Sequence, residues 1–301
     1  MDHVGEQTVQ ARVGVRVAPW GSAHVSANIP PVAANFLLHQ PMIVIGAAAD
    51  DGSLWASLLA GREGFVTAID DRTIVVDALP GMFDPLSELF DVEREIGILA
   101  IDLGTRRRMR INGRAHTVGA QLVVQTDQVY ANCPKYIQVR GVSRTECFDP
   151  QVHRTKLLTD RQRTRITEAD TFFIATSATG LGADVSHRGG NPGFVTVSSS
   201  RRLSWPDYSG NMMYMTHGNL ELDARCGLLF PDWERGGALH ITGRAYVDWD
   251  RSRADAVPGA QQMVDFDVEQ VIQVDEAYAL HWSFGEYSRF NPPSVLEPSS
   301  P

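Results

Sequence analysis

From residue 42 onward the chain alternates short apolar runs with clusters of Gly, Asp and Arg. Met42-Ile43-Val44-Ile45-Gly46-Ala47-Ala48-Ala49 predicts a buried strand, and Asp50-Asp51-Gly52 supplies its turn. Residues 55–59 predict the partner strand. Residues 65–69 and 73–76 predict a second hairpin around Asp70-Asp71-Arg72. Residues 85–95 read as a helical connection. Two further strands, 97–101 and 109–116, are joined near Arg106-Arg107-Arg108, a basic triplet expected to be a solvated loop. Residues 122–124 and 127–130 close the set. Many short strands with turns between them predict a mainly β fold with a few helices, built as a small barrel or sandwich.

The flanks carry other patterns. In residues 1–28 valine alternates at Val13, Val15 and Val17, which predicts a strand or an extended arm. Pro30-Pro31 ahead of residues 32–38 predicts a short helix with proline near its start. Thr159-Asp160 is a cap for a helix running through Arg165. A second series of strands begins at residues 171–176 and ends at 271–274, with a helix expected near Ala277-Tyr278. Residues 251–262 read as a loop insertion. From Asn291 the tail is Pro- and Ser-rich and expected to be disordered or extended.

The second series repeats the first. An offset of 129 carries Ser186 onto Ser57, Gly190 onto Gly61 and Gly193-Phe194-Val195-Thr196 onto Gly64-Phe65-Val66-Thr67. An offset of 130 carries Gly227 onto Gly97, Leu229 onto Leu99 and Ile241-Thr242-Gly243-Arg244-Ala245 onto Ile111-Asn112-Gly113-Arg114-Ala115. A period this long predicts a duplicated domain rather than a solenoid. The expected division is an arm at 1–29, a first domain at 30–145, a linker helix at 146–168, a second domain at 169–288 and a tail at 289–301.

Composition narrows the function classes. The chain has 301 residues, 43% hydrophobic content and a formal charge of −9. That length suits two domains, and the negative charge argues against a nucleic-acid surface. Cys133, Cys147 and Cys226 form neither a disulfide framework nor a Cys-x-x-Cys metal site. No run approaches 18 apolar residues, and residues 1–28 lack a basic segment followed by an apolar one. A cytoplasmic protein without a membrane span or metal is the expectation. His187, His217, His240 and His281 lack metal-ligand spacing, and no P-loop, Gly-x-Ser-x-Gly elbow or Gly-x-Gly-x-x-Gly fingerprint occurs.

The stretch from Asp184 to Asn219 carries the candidate chemistry. Ser186, Arg188 and the backbone N–H groups of Gly189 and Gly190 can converge on one anion, as a phosphate monoester requires. A solvated hairpin turn is the alternative. The motifs Ser-x-Arg-Gly-Gly-x-Pro-Gly-Phe-Val, Pro-Asp-Tyr-x-Gly-Asn, Gly-Asn-Leu and Gly-Leu-Leu-Phe…Gly-Arg-Ala resemble those of the pyridoxamine 5'-phosphate oxidase-like, FMN-binding split-barrel family. Asn132-Cys133-Pro134-Lys135-Tyr136-Ile137 is similar to a signature of one tandem branch. The resemblance covers roughly residues 36–285.

That resemblance implies two tandem split barrels, of six-stranded type, paired as a pseudo-dimer within one chain. It implies FMN in the groove between them and an oxidoreductase acting on a small molecule with an electron donor or acceptor. A further homodimer stays open. The expected cofactor residues are Ser186, Arg188, Gly189, Gly190, Trp205, Pro206, Asp207, Tyr208, Gly210 and Asn211 from the second copy. Asn132, Cys133, Lys135 and Arg140 are expected from the first. Leu59 stands where the second copy has Arg188, so one functional groove is expected. His187 and Arg188 are the candidates nearest the substrate. Lys135 is a phosphate partner or a solvated lysine, and Cys133 a ligand contact or a buried inert thiol. Trp205 and Tyr208 either rim the flavin or pack in the core. Relatives often carry arginine after Gly-Asn; this chain has Met212-Met213, expected with Met215 to form a helix face in a core. A non-catalytic flavin or haem carrier, or a deazaflavin enzyme, are the other readings.

Overall fold

The computed structural model describes residues 3–15, 25–145 and 149–293. Val17, Cys147 and residues 294–301, which figured in the expectations above, lie outside them.

The first copy supplies β1 (Met42–Ala48), β2 (Leu54–Ala60), β3 (Val66–Ala68), β4 (Thr73–Val76), β5 (Arg94–Asp102), β6 (Arg107–Val118) and β7 (Gln121–Asn132). Between the copies run β8 (Val139–Arg144) and β9 (Gln151–Thr155). The second copy supplies β10 (Thr171–Ala178), β11 (Gly182–Gly189), β12 (Thr196–Ser199), β13 (Arg202–Tyr208), β14 (Arg225–Asp232), β15 (Gly237–Asp248) and β16 (Ala260–Asp275). β17 (Leu280–Glu286) follows.

The sheet orders are β2-β1-β5-β6-β7-β4-β3 and β11-β10-β14-β15-β16-β13-β12. They are the same order displaced by one copy; the first sheet has seven strands and the second eight, because β9 also pairs with β16, where six were expected. The register repeats too: Gly46 pairs with Gly97, and Ala175 with Gly227. So does the irregularity: a bulge falls between Asn112 and Gly113 on β6 and between Thr242 and Gly243 on β15. A bulge bends its strand, so a repeated bulge gives both sheets the same curl. The chain is two tandem split barrels forming a pseudo-dimer.

β1 and β10 are apolar on both faces because each face meets a core. On β1, Ile43, Ile45 and Ala47 fill the first barrel, while Met42 and Val44 face the other copy. On β10, Phe172 and Ile174 fill the second barrel, while Phe173 and Ala175 face the first. The period of two puts alternate residues into different cores. Between the barrels the backbones approach closely. A Cβ on Gly97 would lie 2.6 Å from Asp184 Cα, and one on the equivalent Gly227 would lie 2.6 Å from Trp55 Cα. Only glycine permits that approach. β8 and β17 pair antiparallel, which ties the segments following the two barrels together.

The helices are α1 (Val4–Arg12), α2 (Pro31–Leu38), α3 (Asp160–Glu168), α4 (Met215–Leu222) and α5 (Arg251–Asp255). α2 begins at its proline and α3 is closed by a capping box of Thr159 and Gln162, as the sequence predicts. Four expectations change. The strand or arm expected before residue 29 is a helix at Val4–Arg12, and Val13 is its cap. Residues 85–95 make turns and one short 3-10 segment, Leu89–Asp91, before β5 begins. Ala277 and Tyr278 lie in a turn between β16 and β17. Residues 251–262 hold α5 and the start of β16 rather than a plain loop. No helix among the described residues is long and apolar enough to cross a membrane.

Candidate functional site

β6 of the first copy packs beside β11 of the second. The groove between them contains a cavity of about 170 Å³. The first copy lines it with Arg108 and Arg110 on β6, and with Asn132, Cys133, Lys135 and Tyr136 at and beyond the end of β7. The second copy contributes His187, Arg188 and Gly189 on β11, Pro206, Asp207 and Tyr208 on β13, the loop carrying Gly210 and Asn211, and His217 on α4. Strand periodicity aims Arg108 and Arg110 to one side while Met109 and Ile111 fill the barrel.

The three arginines are in unequal states. Arg110 Nη1 donates to Asp184 Oδ2 at 3.0 Å, and Nη2 donates to Ser186 Oγ. Burial opposes its charge, but Asp184 more than compensates and raises its pKa. Arg188 is bonded to Asp207, a carboxylate only 7% exposed. Arg108 has only carbonyl partners among the described residues: Nε donates to Cys133 O at 2.7 Å and Nη1 approaches His187 O at 3.5 Å. Burial, with Arg110 and Arg188 nearby, pulls its pKa down to about 9. It is a guanidinium short of an anion.

Two histidines line the same cavity uncharged. His187 is buried with neither ring nitrogen bonded. Burial, then Arg108, Arg188 and Arg140, holds its pKa well below the ordinary value. Burial also lowers His217, against the pull of Asp207, whose Oδ1 lies 3.5 Å from Nε2. Arg188 Nε and Asn132 Nδ2 are likewise buried donors without partners. Buried polar groups are normally satisfied, so a cluster of orphans around one cavity marks a place for a polar ligand.

Most of the expected residues meet here: His187, Arg188, Gly189, Pro206, Asp207, Tyr208, Gly210, Asn211, Asn132, Cys133 and Lys135. Contacts across the groove hold them. Asn211 Nδ2 donates to Asn132 Oδ1 at 2.8 Å, and Tyr136 OH donates to Ser209 O at 3.0 Å. Four expected residues are elsewhere. Ser186 Oγ is taken by Arg110 and by Thr216 Oγ1 at 2.6 Å. The Gly190 N–H donates to Asp170 O at 3.1 Å, so it is not free for an anion. Trp205 is 1% exposed and packs against Phe172 and Phe266 in the second barrel. Arg140 pairs with buried Asp170 at 2.7 Å and lies over the Trp233 ring.

Sequence reasoning missed Arg108, which it assigned to a solvated loop. Arg110, Tyr136 and His217 were also missed. Of Met212, Met213 and Met215, expected as a core face, Met213 and Met215 are buried in a small cluster with Tyr130, Met212 is exposed, and all three also border the cavity.

The N-terminal helix braces this wall. α1 packs on α4, with His3 Nε2 2.8 Å from Asn219 Oδ1. Gln10 Nε2 donates to the carbonyls of Met212 and Met213, each at 3.3 Å. On this helix, burial and then Asp184 raise the Glu6 carboxyl to about 7, against the pull of Arg110. A carboxyl raised in the folded state stabilises most below its ordinary pKa, and that contribution is lost as pH rises through about 7. Amide exchange of residues 4–12, corrected for intrinsic rates, should therefore show weaker protection at pH 8 than at pH 5.5. Glu6→Gln should flatten the dependence; an unchanged pH profile in that variant would assign it to another group.

No protein-family model matches the chain, and no curated protein does. Solved structures do align. A provisionally assigned pyridoxamine 5'-phosphate oxidase from Lactobacillus delbrueckii is 19% identical, covering 39% of this chain and 98% of its own, with a TM-score of 0.32. A FAD-binding protein from Mesorhizobium loti is 15% identical, covering 41% and 97%, with a TM-score of 0.30. The FAD-binding protein from Mycobacterium smegmatis is 11% identical, covering 41% and 98%, with a TM-score of 0.27. Each spans about two-fifths of this chain and nearly all of itself.

Proposed function

We propose that the chain is a flavin-dependent oxidoreductase that holds FMN in the groove between its two barrels and acts on a small molecule. The observation that carries this reading is Arg108, a guanidinium with no described carboxylate partner, facing the groove that the sequence resemblance assigns to FMN. The fit can be judged from the orphaned donors. Arg108, Lys135 and Arg188 Nε suit a phosphate, while Asn132 Nδ2 and the His187 ring suit the polar edge of a flavin. Arg108 also offers a cation from the first copy where Met212-Met213 lacks one in the second. The cavity, about 170 Å³, is smaller than the roughly 300–1,000 Å³ of ordinary ligand pockets, so it would hold only part of a mononucleotide.

A flavin, when bound, supplies hydride or electron transfer that no side chain can perform. The chain's own residues bind, orient and exclude water. His187 and His217, held neutral, can each accept a hydrogen bond at one ring nitrogen and donate one from the other without bringing a charge into the groove. Both walls come from one chain, so a monomer suffices.

The absorbance spectrum of the purified protein tests the cofactor. A band near about 450 nm supports flavin, one near about 420 nm replaces it with a deazaflavin, and a Soret band replaces it with haem. Bleaching of the 450 nm band by a reduced nicotinamide and its return with an acceptor would mark turnover. A band that no donor bleaches would make the chain a carrier.

A further inference from the structure

The duplication creates a second groove at the positions equivalent to the first, with a cavity of about 780 Å³. The copies differ most in charge there. The offsets place Leu59 where the first groove has Arg188, Ala238 where it has Arg108, and His240 where it has Arg110. The strand registers Arg108↔Asn132 and Ala238↔Val274 place Ala277 where it has Lys135. All four cations are gone. Among the described lining residues one arginine remains, Arg144, exposed and donating to Gly61 O. Leu58, Leu79, Phe83 and Leu280 make the walls apolar.

Polar groups persist in one place. Ser57 Oγ donates to Asp84, whose Oδ1 accepts from Leu86 N at 2.8 Å. His240 Nδ1 lies 2.9 Å from Ala56 O, which makes Nδ1 the protonated nitrogen and Nε2 an acceptor. The buried Tyr278 hydroxyl lies beside the Ser57 side chain and the Leu58 backbone. Asp84 interacts with both His240 and Tyr278, so the three are neighbours. An apolar groove whose one polar spot is a tyrosine hydroxyl, a carboxyl and the acceptor Nε2 of a neutral imidazole can satisfy a single hydrogen-bonding head. It would repel an anionic one.

We propose that this second groove is a binding site for an apolar molecule with one alcohol or amine head, and that it rejects the anions the first groove is built to take. The site does not depend on what fills the first groove.

Nile red, an uncharged apolar dye, is the probe, used with the full chain. It should brighten on binding, and 1-octanol and octylamine should displace it. Octanoate, with the same chain length and an anionic head, should need at least about tenfold more. Ala78→Trp, at a half-buried lining position, should abolish dye binding. Tyr278→Phe should weaken octanol about five- to tenfold, the range of one lost hydrogen bond. Absence of dye binding, equal displacement by all three competitors, or full dye binding in Ala78→Trp would each overturn the proposal. If Ala78→Trp does not fold, octanol affinity unchanged in Tyr278→Phe does the same.

Discussion

Arg110→Ala is expected to destabilise the chain by about 3–5 kcal/mol, the usual cost of stripping one partner from a buried ion pair. Arg110 stands on β6 of the first copy and Asp184 on β11 of the second, with side chains 12% and 2% exposed. The guanidinium also serves Ser186 Oγ and lies 3.3 Å from the Tyr130 hydroxyl. Alanine leaves a buried carboxylate whose remaining partners are hydroxyls, Tyr130 OH and Ser186 Oγ, each at 3.3 Å. Because the pair joins the barrels, its loss should weaken their association more than either barrel's own core. By the scaling for chains near this size, the melting temperature should fall by about 10 °C. Arg110→Lys should recover only part of the loss, since an ammonium cannot reproduce the planar fork. A melting temperature within about 2 °C of wild type for Arg110→Ala would show that water or a shifted side chain replaces the pair.

The fold was legible because duplication writes the same pattern twice. Ser57 and Ser186, or Gly97 and Gly227, occupy the same register in their sheets, and a fixed offset exposes that without any knowledge of pairing. Short signals were read less well. Three alternating valines at 13–17 predicted a strand or arm, but the first of them caps a helix at Val4–Arg12 that docks on α4, and Val17 lies outside the described residues. Proline and glycine near residues 80–85 were outweighed by an apparent helical run, and the chain makes turns there.

At the site, residues adjacent in sequence were found and those paired over long distance were not. The run Arg106-Arg107-Arg108 looks like a solvated charge cluster. Extended by three residues, Arg108-Met109-Arg110-Ile111 alternates as a strand should, with both guanidiniums on one face; that signal was present. Nothing local predicts that Asp184 would claim Arg110, Asp207 would claim Arg188, and Asp170 would claim Arg140. Which cation remains unmatched is a property of the fold. It decides which arginine is free to hold a ligand.

Among the described arginines of the groove, the one without a carboxylate partner is Arg108, and Arg108→Ala should weaken FMN binding by about ten- to a hundredfold. The estimate converts roughly 1.5–3 kcal/mol for a charge-assisted contact, at tenfold per 1.4 kcal/mol. Riboflavin, which lacks the phosphate, should bind wild type and variant with nearly equal affinity. Arg188 behaves differently because Asp207 already neutralises it. Removing Arg188 alone leaves a carboxylate beside the cavity, so Arg188→Ala should also weaken FMN, through repulsion as well as lost contact. Arg188→Ala combined with Asp207→Asn removes a neutral pair and should regain much of that affinity. Arg108→Ala has no such partner and no such rescue. Circular dichroism and a melting curve come first, to show that each variant folds. Titration of apo-protein with each flavin, followed by fluorescence, then reads the affinities. Equal losses for FMN and riboflavin in Arg108→Ala would place the phosphate elsewhere and leave Arg108 as a wall of the groove.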